Sequence, residues 1–251
     1  MTAAPAGWHP DDNELSGKTI LVTGASDGIG RAVAISCARV GAEVLVLGRS
    51  ESALESVYDT IVNEGLPTPG LIPFDLRQSS SEPYEALAAA MAEADVKLDG
   101  LLHNASVLGE RRSLAQTSPE SWQEVMQVNI TAIFLLTRAL IPLLESASSS
   151  SVVLTSSGVG RRGKAYWGAY AVSKFATEGF MQVLADELVT TSRIRVNSLN
   201  PGAVNTKMRR AAYPGEPPDN NPLPEALVNQ WIYLLSTASA GVNGKTLSAQ
   251  S

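Results

Sequence analysis

Thr19-Ile20-Leu21-Val22-Thr23-Gly24-Ala25-Ser26-Asp27-Gly28-Ile29-Gly30 is the stretch on which the fold of this chain turns. TILVT is a short, nearly all-apolar run of the kind a strand shows when both its faces are buried. A glycine-rich turn follows, and a helical pattern opens at once. Gly24 suits a tight turn, Gly28 lets backbone come close to a pyrophosphate, and Gly30 permits close helix–strand packing. The helix start offers unpaired N–H groups and a positive dipole end to phosphate. Ser26, Asp27 and Ile29 complete the candidate loop. The spacing is G-x-x-x-G-x-G, not the commoner G-x-G-x-x-G.

Outward from this turn the same alternation repeats. Strand patterns fall at Glu43–Leu47, Leu71–Phe74, Leu98–Leu102, Ser151–Thr155 and Ile194–Leu199, with a weak last one near Lys245–Leu247. Helical patterns lie between them at Gly30–Val40, Glu51–Asn63, Glu82–Ala94, Pro119–Glu145, Tyr166–Val189 and Pro224–Leu235. Right-handed β-α-β crossovers then predict an α/β fold, a single Rossmann-type, doubly wound parallel sheet of about seven strands flanked by helices. Residues 1–16 read as a mobile tail and 17–251 as one catalytic domain. The aperiodic, Pro- and Asn-rich Met208–Leu223, within a 205–223 loop region, leaves the carboxyl end of a strand. That is where open α/β sheets bind ligands, so it reads as a substrate lid.

The tip of the second strand separates two dinucleotides. A carboxylate there would bind a ribose hydroxyl, whereas an arginine suits a 2′-phosphate. The sequence reads Leu47-Gly48-Arg49-Ser50, which favours NADP(H) over NAD(H).

Bulk properties narrow the class. The 251 residues carry a formal charge of −6, so no global basic field exists to gather nucleic acid or an anionic membrane. One cysteine, Cys37, cannot form an internal disulfide and reads as a core residue. No apolar run approaches the ~20 residues of a spanning helix, no secretory leader pattern opens the chain, and no metal-ligand spacing occurs. A cytoplasmic protein is the expectation.

Tyr170-Ala171-Val172-Ser173-Lys174 sets a phenol and an ammonium one turn apart on one helix face. A free tyrosine titrates near ~10, and a neighbouring cation favours its phenolate. Ser157, at the end of the fifth strand pattern, is spaced to share a substrate oxygen with Tyr170 and stabilise developing oxyanion charge. Ser156 is the alternative.

Taken together, TGASDGIG, His103-Asn104-Ala105-Ser106, Asn129, Ser157, Tyr170/Lys174 and Asn200-Pro201-Gly202, in this order, resemble the short-chain dehydrogenase/reductase superfamily. The stretch TSSGVGRRGKAYWGAYAVSKFATEGFMQVLADE further resembles its YciK-like bacterial oxidoreductases. The resemblance implies Tyr170 as general acid/base, Lys174 also on the nicotinamide ribose, and Asn129 holding a water in a proton relay. It implies adenine-side contacts at Asp75, Leu76, Asn104 and Ala105. It also implies a nicotinamide-orienting segment at Pro201, Gly202, Val204 and Thr206. Packing of the two long helices between subunits would give a homodimer or homotetramer.

Two departures stand out. Family members read N-N-A-G where this chain has His103-Asn104-Ala105-Ser106, and the usual glycine pair after the last strand is missing. His103 reads as a brace for the sheet. Arg161, Arg162 and Lys164 read as solvated charge rather than an anion site, and Tyr166 and Trp167 as possible pocket walls. The expected activity is hydride transfer between NADP(H) and a carbonyl or secondary alcohol; the competing reading is a nucleotide-binding redox sensor without turnover.

Overall fold

The computed structural model describes residues 1–250. Seven strands are joined in a parallel sheet: β1 Thr19–Thr23, β2 Glu43–Gly48, β3 Gly70–Pro73, β4 Gly100–His103, β5 Ser150–Thr155, β6 Ile194–Asn200 and β7 Thr246–Ser248. Their order is β3-β2-β1-β4-β5-β6-β7. β1 is flanked by β2 and β4 in parallel register, with Val22 opposite Val46 and Leu102. The order reverses between β1 and β4, which opens a crevice at the strands' carboxyl ends.

Helices cover both faces because the central strands β1, β2 and β4 are apolar on both sides. On one face, α1 (Gly28–Arg39), α2 (Glu51–Asn63) and α8 (Asn229–Leu235) meet the sheet through Val33, Leu54, Ile61 and Trp231. On the other, α3 (Glu82–Glu93), α5 (Ala132–Ser146) and α6 (Gly168–Leu188) bury Tyr84, Leu136, Leu140 and Met181. The segment Pro119–Ser146 has the length and hydropathy of a membrane span, although no twenty-residue apolar run is evident in its sequence. In the fold it is a core element: α4 (Pro119–Met126), one π-helical turn at Gln127–Thr131, then α5.

Three expectations need correction. The sixth long helix begins at Gly168, not Tyr166, because Tyr166 takes a left-handed backbone (φ 67) that no helix interior accepts. The lid region is not structureless, since α7 spans Lys207–Ala212 with Thr206 capping its start. Residues 1–16, expected to be mobile, are packed. Ala3 N–H donates to the Ser248 carbonyl at 3.1 Å, Leu15 is fully buried, and Trp8 meets Tyr233 edge-on at 5.1 Å. At the same edge, Gln250 Nε2 donates to the carbonyls of Pro201 (2.7 Å) and Ala203 (2.8 Å).

Candidate active site

The crevice holds a cavity of about 440 Å³. Its floor is the turn after β1. Gly24 adopts φ +66, and a Cβ there would lie 2.8 Å from the Ala105 backbone. Gly30 is set back from the cavity. A Cβ on it would strike the Gly24 carbonyl oxygen and approach Asn104 Nδ2 to 2.5 Å, so its absence lets α1 close against the turn. Thr23 Oγ1 accepts from the N–H groups of Asn104 (3.0 Å) and Ala105 (3.1 Å), which ties the end of β4 to the end of β1.

Ser26, Asp27, Gly28 and Ile29 line one end of the cavity, beside Arg49 at the tip of β2. Arg49 is exposed and has no carboxylate partner among the described residues. Asp75 and Leu76, after β3, line the same end, and Asn104 and Ala105 the middle. Pro201, Gly202, Val204 and Thr206 close the opposite wall. Asp27 meets Lys207 of α7 at 3.1 Å, an exposed ion pair spanning from the glycine turn to the lid region.

At the other end, α6 presents Tyr170 and Lys174 to the cavity from one face. Both are buried, the phenol ring centroid lies 5.6 Å from Lys174 Nζ, and Nζ donates to the Thr155 carbonyl at 2.8 Å. Burial pushes the Tyr170 phenol up to about 12, while the Ser157 hydroxyl facing it pulls the other way. Burial likewise draws Lys174 down to about 8, opposed by the Glu178 carboxylate. Desolvation outweighs the Ser157 hydrogen bond and favours the protonated phenol.

Both serines line the cavity but differ in their partners. Ser156 Oγ donates to Glu178 Oε1 at 2.5 Å, whereas Ser157 stands at the cavity wall beside Tyr170. Glu178 was not among the residues singled out from sequence. Its other oxygen accepts from Ser198 Oγ (2.6 Å) and Thr246 Oγ1 (2.9 Å), so one buried carboxylate gathers β5, β6 and β7 beneath Lys174.

Asn129 sits in the π-turn, a helical irregularity common at functional sites. Its side chain does not line the cavity. Oδ1 accepts from Val107 N (2.8 Å), and Nδ2 donates to Val107 O (3.0 Å) and Ser173 Oγ (3.0 Å). Ser173 Oγ in turn donates to the Tyr170 carbonyl at 2.8 Å. The amide thus clasps the β4 loop to α6, and among the described residues it makes no hydrogen bond to Lys174. His103 is buried with Nε2 2.8 Å from Thr137 Oγ1, and burial holds its pKa down to about 3. Arg161, read from sequence as solvated charge, instead turns to Glu178, Leu247 and Ser248.

The parallel sheet with its order reversal, the glycine turn and the Tyr/Lys face of α6 define a Rossmann-type oxidoreductase. The chain belongs to the short-chain dehydrogenase family, whose model matches residues 18–217. It is 46% identical to the uncharacterised oxidoreductase YciK of Escherichia coli K12, over 97% of this chain and 96% of that protein. A short-chain dehydrogenase from Pseudomonas syringae superposes with TM-score 0.95 at 49% identity, covering 97% of this chain and 98% of the other. One from Shigella flexneri, crystallised with NADP, superposes with TM-score 0.93 at 45% identity, covering 96% and 100%.

Proposed function

We propose that this chain reduces an aldehyde or ketone with NADPH, using Tyr170 as the proton donor, and that the reverse oxidation of a secondary alcohol follows the same path. The observation that carries this is the buried Tyr170 beside Ser157 and Lys174, on a cavity whose far end joins the glycine turn to Arg49. The residues fit the nucleotide. The glycine turn is a cradle that a Cβ would fill, Arg49 is free to meet a 2′-phosphate, and the buried Ser106 hydroxyl has no protein partner. A relative of this fold was crystallised with the same nucleotide.

When bound, the nicotinamide supplies the hydride. The chain does the rest. Ser157 donates a hydrogen bond to the substrate oxygen and orients it. The Tyr170 O–H passes its proton to that oxygen as the alkoxide forms. Lys174, held in place by the Thr155 carbonyl, stabilises the phenolate left behind until solvent reprotonates it. Asn129 keeps α6 and the β4 loop in register. We further read the region 205–223 as a lid and the exposed Phe134, Phe175 and Val183 as a homo-oligomer face.

Tyr170→Phe tests the reading. It should abolish NADPH oxidation on an aldehyde and ketone panel while leaving the Kd for NADPH within about twofold. Equal loss of binding and turnover would remove Tyr170 from the chemistry. Tight nucleotide binding by the unmodified protein with no turnover on any carbonyl would favour a redox sensor.

A further inference from the structure

The chain is acidic overall, with 19 Lys and Arg against 25 Asp and Glu. The three loops that frame the Tyr170 end of the cavity (104–118, 156–167 and 201–223) reverse that balance, holding eight Lys or Arg against three acids. Arg111, Arg112, Arg162, Lys164 and Arg210 have no carboxylate within ion-pair distance among the described residues.

Three cations of these loops converge on one ring. The Arg209 guanidinium lies 3.9 Å from the Tyr213 centroid, Arg111 lies 5.2 Å away, and Lys164 Nζ is 3.0 Å from the phenol oxygen. They hold the Tyr213 phenol below its ordinary pKa, the Lys164 hydrogen bond first among the causes. Arg111 also stacks on Trp167 at 4.3 Å, and Trp167 packs on Tyr170 at 5.7 Å. The positive cluster is therefore separated from the proton donor by one ring, that of Trp167. Met208, Arg209 and Ala212 of α7 line the cavity wall beside it.

Like charge concentrated at a cleft mouth focuses the field and raises the local concentration of anions. Arg111 and Lys164 are occupied here only by neutral groups, the Tyr166 and Ala212 carbonyls and a phenol, which an anion would outcompete. Resting on the oxidoreductase reading, we infer that the carbonyl substrate carries an anionic group, a carboxylate or phosphate, which Arg111 and Lys164 receive while the carbonyl reaches Tyr170; Arg209 stands beside them with its guanidinium held by Glu216 at 2.6 and 2.7 Å.

Matched pairs test this at saturating NADPH, which fills the nucleotide phosphate sites. The pairs are 4-carboxybenzaldehyde against methyl 4-formylbenzoate, and glyceraldehyde 3-phosphate against glyceraldehyde. In at least one pair the charged member should show kcat/KM at least tenfold higher at low ionic strength. The ratio should shrink with added salt and narrow about fivefold in Lys164→Gln. Ratios near one in both pairs, or a ratio untouched by salt and by Lys164→Gln, would overturn the inference. Which pair responds tells carboxylate from phosphate. If none of these four aldehydes is reduced, the oxidoreductase reading is decided by the wider aldehyde and ketone panel. Calorimetric titration of the NADP⁺-saturated protein with benzoate, methyl benzoate and inorganic phosphate then still decides the point. Either anion binding at least tenfold tighter than the neutral ester supports the basic receptor; binding no tighter than the ester rejects it.

Discussion

The Ser156 hydroxyl and the Glu178 carboxylate meet at 2.5 Å beneath the active-site wall, so the residue next to Ser157 is anchored to the turn of α6 that follows Lys174. Glu178 also favours the charged form of Lys174, whose pKa burial has drawn down to about 8. Reduction should therefore decline as pH rises through about 8, where the ammonium is lost, while the Tyr170 phenol stays protonated to about 12. Glu178→Gln removes the opposing charge and should move that decline to lower pH. It should also cost about 2 kcal/mol of stability through the weakened hydroxyl contacts. A pH profile of kcat/KM and urea unfolding check the two effects separately. An unmoved profile would confine Glu178 to a structural role.

Arg49 stands at the tip of β2 beside the glycine turn, without an acidic partner among the described residues. Arg49→Ala should raise the Kd for NADPH roughly tenfold to a hundredfold, the worth of a charge-assisted hydrogen bond, and leave NADH binding unchanged. Fluorescence titration with both nucleotides measures the difference. Parallel weakening of the two would place Arg49 away from the 2′-phosphate.

His103 gives the fold an acid sensitivity. It stays neutral in the folded chain down to about 3, whereas in the unfolded chain it accepts a proton below about 6.5. Between those values the unfolded state binds the extra proton, so stability falls as pH falls, by about 1.4 kcal/mol per unit. His103→Asn should remove that part of the slope. Urea midpoints measured from pH 7 to pH 4 decide it.

Gly30 and Gly179 should respond in opposite directions. Gly30→Ala sets a methyl against the Gly24 carbonyl and Asn104, and should cost roughly 1–3 kcal/mol together with nucleotide binding. Gly179 lies inside α6 with nothing within 4 Å of the added methyl. Gly179→Ala should stabilise the isolated subunit by about 0.5–1 kcal/mol through helix propensity, a methyl on the Phe175–Val183 face bearing separately on any subunit contact. Thermal unfolding with and without NADPH reads both.

What the linear chain reveals depends on how local the cause is. The glycine turn and the Tyr170/Lys174 spacing are legible because contiguous backbone geometry creates them. The sheet is legible because its central strands, buried on both faces, read as nearly continuous apolar runs. Glu178 is not, since its partners lie on three strands and nothing in KFATEGF marks that glutamate as buried. Asn129 could be named only through a family pattern; its grip on Val107 depends on a π-turn that has no periodic signature. Nor does sequence show the sign of the Tyr170 shift, because proximity to a lysine is visible in the letters but burial is not. The helix Lys207–Ala212 is too short for periodicity to stand out, and Arg111 finds Ala212 a hundred and one residues further along.

The two ends of the chain are laced together at the sheet's edge. Ser248 takes the Ala3 N–H and gives its own to Met1, and two residues later Gln250 grips the turn at Pro201. Trimming the first few amino acids, or pulling on them with a fused tag, would loosen the last strand and through it the Pro201–Thr206 wall of the cavity. A handle for purification or immobilisation placed at the amino end is therefore mechanically coupled to the catalytic crevice, and one displayed from the exposed turn at Gly65 is not.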